Sequence, residues 1–246
     1  APWVGIPTAV LYRKDLWAAA GNPAFPKTWD EFLAVAKKLT VDTDKDGKID
    51  QYGWAIVGTP NGSGQGRFSQ VVRNSGGYNY RETAAGKWES GAMTKGYLDA
   101  LTLYQDAVKE GVVPPGYTST GYPEASAQIA NGKGVMMITG PHSLGIIMKA
   151  NPALDGKIGG FPMPTNNGAS PVTTLGNLGY AVSKSGKNKP LAIEYIKFQL
   201  STKYQLAYNK VEWRLPSRLK AQKEPQVTGG MAAGFVGALK GGLWTE

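Results

Sequence analysis

The residues with the clearest capacity for chemistry are the aspartates between positions 42 and 50. They alternate with other residues, and Gly47 allows a sharp turn, as in the first half of a calcium-binding loop. The second half does not match, because Gly53 stands where a bidentate glutamate is needed and Asp50 would have to serve. The alternative is a solvated Asp-rich turn. If calcium binds here, we expect a structural ion whose ligand positions are Asp42, Asp44, Asp46, Lys48 and Asp50.

A second candidate region is the segment from Asn131 to Pro141, which combines a helix end, a turn, a strand and a strand exit. Gly132 stands where a left-handed helix terminus favours a residue without a Cβ. Val135 to Thr139 is a continuous apolar run, which predicts a strand covered on both faces, as in a parallel sheet. Ligands of open α/β sheets bind outside the carboxyl ends of strands, so residues 139–143 form a candidate binding wall.

Helix and strand signals in the first half of the chain predict the elements that position this wall. Thr28 and Glu31 form a capping box and predict a helix start. Residues 52–58 are predicted to be a strand and residues 67–75 a helix. The loop predicted between them, 59–66, has glycines whose spacing fits neither dinucleotide-binding nor phosphate-binding patterns, so no nucleotide is implied.

The second half of the chain predicts further elements around the wall. Residues 157–164 are predicted to be an exposed strand, and the Gly, Asn and Pro-rich residues 165–171 a crossing between lobes. A strand is predicted over 178–183. Residues 190–200 predict a helix with Pro190 in its first turn and Ile193, Ile196 and Leu200 facing inward.

Composition excludes several classes of protein. The 246 residues, 41% hydrophobic, suffice for a globular core, and neither a basic-then-apolar leader nor a membrane-spanning apolar run is found. Without cysteine, and with one histidine, thiolate zinc sites and most triad chemistry are excluded. The net charge of +9 is spread singly along the chain, so we expect no nucleic-acid partner. The many glycines and aromatic residues suit hydroxylated ligands that stack on rings.

Seven short segments, spread from residue 2 to residue 218, together form a recognisable pattern. They are Pro2-Trp3, Leu11-Tyr-Arg-Lys-Asp-Leu16, Pro26-Lys-Thr-Trp-Asp-Glu31, Asp44-Lys-Asp-Gly-Lys-Ile-Asp-Gln-Tyr-Gly53, Asn131-Gly-Lys-Gly-Val-Met-Met-Ile-Thr-Gly-Pro141, Gly179-Tyr-Ala-Val-Ser183 and Leu215-Pro-Ser-Arg218. In this order they resemble the extracellular solute-binding proteins of ABC importers, in the carbohydrate-binding group that includes the maltodextrin-binding protein. Each segment alone is short, but their shared order makes the resemblance specific to the family.

The resemblance implies an α/β fold of the type II periplasmic-binding-protein kind, with two lobes that close about a hinge. Residues 6–175 and 226–246 would form the C-lobe, and 1–5 and 176–225 the hinge and the returning part of an incomplete N-lobe. The implied function is binding of a carbohydrate outside the cytoplasm and delivery to the permease subunits of an ABC transporter. The full-length protein would be periplasmic or extracellular and tethered to the membrane as a lipoprotein. The N-terminal part that family members have would be a further partner.

The resemblance also implies where ligand contacts lie. Trp3 would lie where the chain crosses between lobes, and residues 61–68 in a loop over the cleft. His142 follows Gly140-Pro141, where relatives often carry a tryptophan that stacks on sugar. The implied ligand-binding residues are Trp3, Asn61, Gln65, Arg67, Phe68, His142, Asn177 and Trp213.

Two alternatives stay open at the level of sequence. Arg67 over a cleft could clamp a carboxylate or phosphate, which favours an anionic sugar such as a uronate or a sugar phosphate; equally, it could bind sugar hydroxyls or face solvent. A glycoside hydrolase would need two carboxyl groups beside one bond. The predicted cleft segments 59–68, 139–143 and 176–178 contain no acid. We therefore expect a binding protein with no catalytic residues and no cofactor other than the candidate calcium.

Overall fold

The computed structural model of the chain describes residues 1–241, 243 and 244. The strands are β1 (Pro2–Pro7), β2 (Ala9–Arg13), β3 (Tyr52–Trp54), β4 (Tyr80–Ala84), β5 (Lys87–Ser90), β6 (Gly134–Thr139), β7 (Ile158–Phe161), β8 (Thr173–Gly179), β9 (Leu215–Pro216) and β10 (Leu243–Trp244). The α-helices are α1 (Lys14–Ala19), α2 (Trp29–Lys38), α3 (Gly62–Asn74), α4 (Lys95–Lys109), α5 (Tyr122–Asn131), α6 (Ser143–Ala150), α7 (Lys189–Gln199), α8 (Thr202–Glu212), α9 (Leu219–Gln222), α10 (Pro225–Thr228) and α11 (Ala233–Ala238).

The larger body of the chain is organised around a sheet of order β3-β6-β2-β7. All six residues of β6 are buried, which confirms the prediction of a strand covered on both faces. The strand is parallel to β3 and antiparallel to β2, so the sheet is mixed rather than parallel throughout. Alternate residues of the sheet face two hydrophobic clusters: Met136 and Ile138 belong to one, and Met137 to the other.

A second sheet has the order β10-β8-β1-β9 and joins the first through the short link from β1 to β2. Strands β1 and β8 run antiparallel, with Gly5 opposite Asn177 and Pro7 opposite Leu175. The strand predicted over 178–183 therefore starts earlier, at Thr173, and ends at Gly179. Hydrogen bonding to β1 extends this strand into the residues that the sequence pattern left outside it.

The predicted start of α2 and end of α5 are both confirmed by local contacts and backbone geometry. The Thr28 hydroxyl accepts a hydrogen bond from the Glu31 amide at 3.2 Å, and the Glu31 carboxylate accepts one from the Thr28 amide at 3.3 Å. This capping box starts α2. Gly132 ends α5 with a φ of 84°, which is the left-handed conformation expected there.

Three predictions about elements were wrong. Residues 62–66 are helical rather than loop, because α3 begins directly after Asn61. The strand predicted over 52–58 covers only Tyr52–Trp54. The strand predicted to be exposed, β7, is buried because α11 covers it, with Phe235 in the same apolar cluster as Ile158.

The helix α7 is largely uncovered. Ile193, predicted to face inward, is 45% exposed, while Ile196 and Leu200 are partly buried. Leu191, Tyr195 and Phe198 of the same helix are also exposed. The helix therefore presents apolar side chains to solvent, although the Phe198 ring contacts that of Tyr204 in α8 with 4.9 Å between ring centroids.

The division of the chain into a C-lobe and the remainder of an N-lobe stays a prediction. Crossing strands such as β1 and β8 fit the hinge expected between them. Within the described residues, no helix is both long enough and apolar enough to cross a bilayer.

Candidate functional site

A cavity of about 380 Å³ opens where the first sheet meets the second. One wall is the N-terminal half of α3, and a second is the exit of β6. Strands β1 and β8 and the start of β4 complete the lining. The cavity therefore includes the predicted binding wall at the carboxyl end of β6, although it extends well beyond it.

Helix α3 is positioned by Asn61. Its side-chain oxygen accepts hydrogen bonds from the backbone amides of Ser63 at 2.9 Å and Gly64 at 3.2 Å. An asparagine at this position satisfies amides that have no partner within the helix. The first turns of α3 then line the cavity with small and polar residues, including Ser63 and Gln65.

Arg67 joins α3 to the end of β6. Its Nε donates to the Ile138 carbonyl at 2.9 Å, and its Nη2 donates to the Thr139 hydroxyl at 3.1 Å. Its Nη1 donates to the Ser63 carbonyl at 3.0 Å and to the Ser63 hydroxyl at 2.7 Å. Four hydrogen bonds therefore use four of the five N–H groups of the guanidinium, leaving one on Nη2 for a ligand. Burial lowers the pKa of Arg67 from its ordinary value.

His142 lines the cavity directly before α6, and its imidazole is neutral at pH 7. Burial, followed by the charges of Arg67 and Arg214, lowers its pKa to about 4. Its ring packs against Tyr122 with 5.1 Å between ring centroids. Its Nδ1 is buried without a hydrogen-bond partner. A neutral imidazole offers one donor and one acceptor, which suits a hydroxyl group better than a charged ligand.

The crossing strands are fixed to the larger body by side chains of α3. The Gln70 amide bonds the Thr174 hydroxyl, and its carbonyl accepts from the Thr174 backbone at 3.2 Å. One turn later, Asn74 donates to the Val172 carbonyl and accepts from the Val172 amide, both at 2.9 Å. These bonds fix the start of β8 against the cavity wall.

Of the residues predicted to bind ligand, Gln65, Arg67 and His142 line this cavity. Asn61 lies beside it but uses its side-chain oxygen to cap α3. Phe68 points into the core, where its ring contacts those of Tyr97 and Tyr104 at 5.3 and 5.4 Å. The one-residue offset between Arg67 and Phe68 on a helix explains why only one of them reaches the cavity.

The other predicted residues do not line the cavity. The Trp3 ring packs between Tyr180 and Tyr208, at centroid distances of 5.0 and 4.6 Å. Trp213 packs against the second apolar cluster. Asn177 lines a separate, more apolar cavity of about 330 Å³, because adjacent strand residues point to opposite faces and Gly176 faces the first cavity.

Further lining residues, which were not predicted from the sequence, come from α3 and from the hairpin β4–β5. They include Ser69, Gln70, Arg73, Asn79 and Tyr80. A signal was available, since an asparagine before a run of Gly and polar residues is a helix start, and Ser63, Arg67 and Gln70 then share one face. Asn79 and Tyr80 carry no local signal, because tertiary packing of the hairpin brings them to the cavity.

The described lining has a distinct electrostatic character. Arg67 and Arg73 contribute positive charge, and no aspartate or glutamate is found among the lining residues that the structure describes. The remaining polar groups are amides, hydroxyls and the neutral His142. The cavity is therefore suited to an uncharged polar or an anionic ligand, and it lacks the paired carboxyl groups that glycoside hydrolysis requires.

The aspartate loop lies away from this cavity. Asp42, Asp44 and Asp50 each offer a carboxylate oxygen within 4.8 Å of the others. Asp46 instead contacts the Lys48 ammonium at 3.7 Å. Asp42 accepts the Gly47 amide at 2.8 Å, and hydrogen bonds from Thr43 lower the pKa of Asp50. Both the calcium loop and the hydrogen-bonded turn fit this arrangement, so calcium binding stays a prediction.

Comparison with known proteins places the chain in a family. The profile of the family described as bacterial extracellular solute-binding protein matches residues 1–206. The chain therefore belongs to this family of binding proteins. Its mixed α/β fold is of the type II periplasmic-binding-protein kind found in its structural relatives.

Individual relatives agree with this assignment. The diacetylchitobiose binding protein DasA of Streptomyces coelicolor is 27% identical over 221 residues, which cover 89% of this chain and 49% of that protein. A solute-binding protein of Thermotoga lettingae, solved with α-D-tagatose, has a TM-score of 0.78 at 26% identity, over 92% of this chain and 56% of its own. One from Agrobacterium radiobacter K84, solved with ribitol, has a TM-score of 0.80 at 25% identity, over 98% and 59%. The chain spans about half the length of the curated relatives it matches.

Proposed function

We propose that this chain binds a carbohydrate in the cavity between α3, the exit of β6 and the crossing strands, and that the whole protein delivers it to an ABC transporter permease. The observation that carries the proposal is the lining itself, which presents amides, hydroxyls and a neutral imidazole. Such groups match the alternating donors and acceptors of sugar hydroxyls. The names of the relatives, which include a diacetylchitobiose binding protein and proteins solved with tagatose and ribitol, support the same class of ligand.

A neutral sugar is favoured over an anionic one. Arg67 retains one free N–H after its four hydrogen bonds to the protein, so it cannot form a bidentate clamp without breaking one of them. An anionic sugar is supported by the absence of acids from the described lining. A uronate or a sugar phosphate therefore belongs in the ligand panel as the second candidate.

The proposal assigns no catalysis to this chain. Hydrolysis of a glycosidic bond needs a carboxylic acid and a carboxylate beside one bond. The grouped carboxylates among the described residues, Asp42, Asp44 and Asp50, lie in a different loop. A binding role is consistent with membership of a binding-protein family.

We further propose that the whole protein acts outside the cytoplasm, tethered to the membrane.

We also propose that the remaining part of the whole protein covers α7. The relatives are about twice as long as the matched region, and Leu191 and Phe198 of α7 are 63% and 57% exposed. Exposed apolar faces of this kind are typical of interfaces. On light scattering, the isolated chain is expected to self-associate, and Leu191→Lys with Phe198→Lys to restore the monomer. A monomeric parent chain would contradict this part of the proposal.

The binding proposal is tested by calorimetric titration of the chain with neutral and acidic mono- and oligosaccharides. We expect saturable binding of a neutral sugar that Gln65→Ala and His142→Ala weaken. The matched control is Gln226→Ala, a glutamine outside the described cavity lining. Binding that survives both cavity substitutions unchanged would place the ligand elsewhere, and the absence of any sugar binding would refute the carbohydrate assignment.

A further inference from the structure

The hairpin β4–β5 carries two exposed aromatic rings on one face. Tyr80 pairs with Ser90 and Glu82 with Trp88, so Tyr80 and Trp88 are diagonal neighbours across the hairpin. Their ring centroids lie 5.6 Å apart at an interplanar angle of 68°. Tyr80 is 54% exposed and Trp88 60% exposed. This pair, Tyr80 and Trp88, is called the aromatic platform below.

On the opposite side of the hairpin, Tyr78, Arg81 and Glu89 contact one another. The Tyr78 hydroxyl donates to the Glu89 carboxylate at 2.5 Å, and the Arg81 guanidinium lies 4.6 Å from the Tyr78 ring centroid. Arg81 also forms an ion pair with Glu89. These contacts stabilise the hairpin without Trp88, so the exposed indole is not explained by the fold of the hairpin.

The platform is fixed beside the cavity. The Asn79 amide donates to the Ser69 hydroxyl of α3 at 2.7 Å, and both residues line the cavity. At the same end of the hairpin, the Gly91 amide donates to the Asn79 carbonyl at 2.8 Å. Gly91 also packs so closely that a Cβ there would lie 1.9 Å from the Tyr78 carbonyl oxygen. The base of the hairpin is therefore fixed against the cavity wall.

Tyr80 belongs to the cavity lining as well as to the platform. An aromatic surface therefore continues from the cavity onto the exposed hairpin. The cavity, at about 380 Å³, lies near the lower end of the range of about 300 to 1,000 Å³ typical of small-molecule sites. A ligand longer than the cavity would extend over the platform.

We propose that the aromatic platform is a second sugar subsite, so that the ligand is an oligosaccharide of at least two rings. One ring occupies the cavity, and the next stacks its apolar C–H face on Trp88 beside Tyr80. An exposed indole provides a large, rigid surface for such a contact. This inference rests on the proposed carbohydrate-binding function. It adds a minimum length for the ligand and names the residues that contact its second ring.

The test compares matched mono- and oligosaccharides on the intact chain. The probes are N-acetylglucosamine with N,N′-diacetylchitobiose, and glucose with maltose and maltotriose, titrated by calorimetry. We expect the parent chain to bind an oligosaccharide more tightly than its monosaccharide. Trp88→Ala should weaken oligosaccharide binding about fivefold to tenfold while changing monosaccharide binding by less than about twofold. Trp88→Phe, which keeps a ring, should retain most of the affinity.

A spectroscopic readout locates the contact without relying on affinity alone. In the chain labelled with 5-fluorotryptophan, the ¹⁹F resonance lost in Trp88→Phe identifies Trp88. That resonance should shift with the oligosaccharide and not with the monosaccharide. The control is Met93→Ala, an exposed apolar residue close to the hairpin but outside the platform, which should change neither readout.

The outcomes separate the platform from the cavity. Sugar binding that Trp88→Ala leaves unchanged, or weakens equally for mono- and oligosaccharides, overturns the platform while the cavity proposal stands. A parent chain that binds none of these sugars overturns the platform, and a chain that also binds none of the acidic sugars overturns the proposed function as well.

Discussion

Replacement of Arg67 by methionine tests whether this arginine stabilises the cavity wall or instead serves to bind an anionic ligand. The substitution keeps a long apolar stem and removes four hydrogen bonds, of which two join α3 to the end of β6 and two bind Ser63 within α3. Hydrogen bonds to charged groups contribute about 1.5 to 3 kcal/mol each, and burial of the guanidinium offsets several kcal/mol of that sum. We therefore expect the free energy of unfolding to fall by about 3 kcal/mol.

Urea denaturation followed by circular dichroism measures this change, with the midpoint lowered at an unchanged slope. The matched control is Arg81→Met, which removes an exposed ion pair with Glu89 and should change stability by less than about 1 kcal/mol. Arg67→Met within about 0.5 kcal/mol of the parent would contradict the structural role described here. If that variant instead lost affinity only for uronates, Arg67 would be the anion clamp considered from the sequence.

Further predictions concern backbone contact, protonation and metal binding. Gly53→Ala should strongly lower the unfolding midpoint, since a Cβ there would lie 2.0 Å from the Ala36 carbonyl oxygen, and a mild effect would contradict this packing. Gly66→Ala is the control, because a Cβ there would meet nothing within 4 Å, and it should stabilise α3 by about 0.5 to 1 kcal/mol. The pKa of His142 is lowered from 6.5 to about 4, so the unfolded chain takes up the proton first and stability is lost as pH falls from 6.5 towards 4. Proton NMR of this single histidine should show a midpoint near 4, and a midpoint near 6.5 would refute its burial. If the loop of residues 42–50 binds calcium, added calcium should raise the thermal unfolding midpoint of the parent chain and of Asp46→Asn but not of Asp44→Asn. If the loop is only a hydrogen-bonded turn, calcium should change the midpoint of none of the three proteins.

Local signals in the sequence were sufficient where neighbouring residues determine the structure. The capping box at Thr28 and the terminus at Gly132 each satisfy backbone groups within a few residues, so they were predicted correctly. The uniform apolar run of β6 likewise revealed its burial on both faces. The antiparallel pairing of β6 with β2 could not be predicted in the same way, because strand pairing depends on segments that are distant in the sequence.

The candidate site was only partly predictable for the same reason. Gln65, Arg67 and His142 were identified from their places near strand exits and from the family resemblance, and all three line the cavity. Phe68 lies in the core and Asn177 lines a separate cavity, because a shift of one residue on a helix or strand changes the face on which a side chain lies. Tyr80 reaches the cavity only through the packing of the hairpin.

A crystal structure of the chain with the sugar that binds most tightly in the titrations tests the central claim most directly. We predict electron density for a sugar ring between α3 and the exit of β6, within hydrogen-bonding distance of Gln65 and His142. Density for the sugar in the apolar cavity that Asn177 lines, or on the face of α7, would contradict the assignment of the binding site.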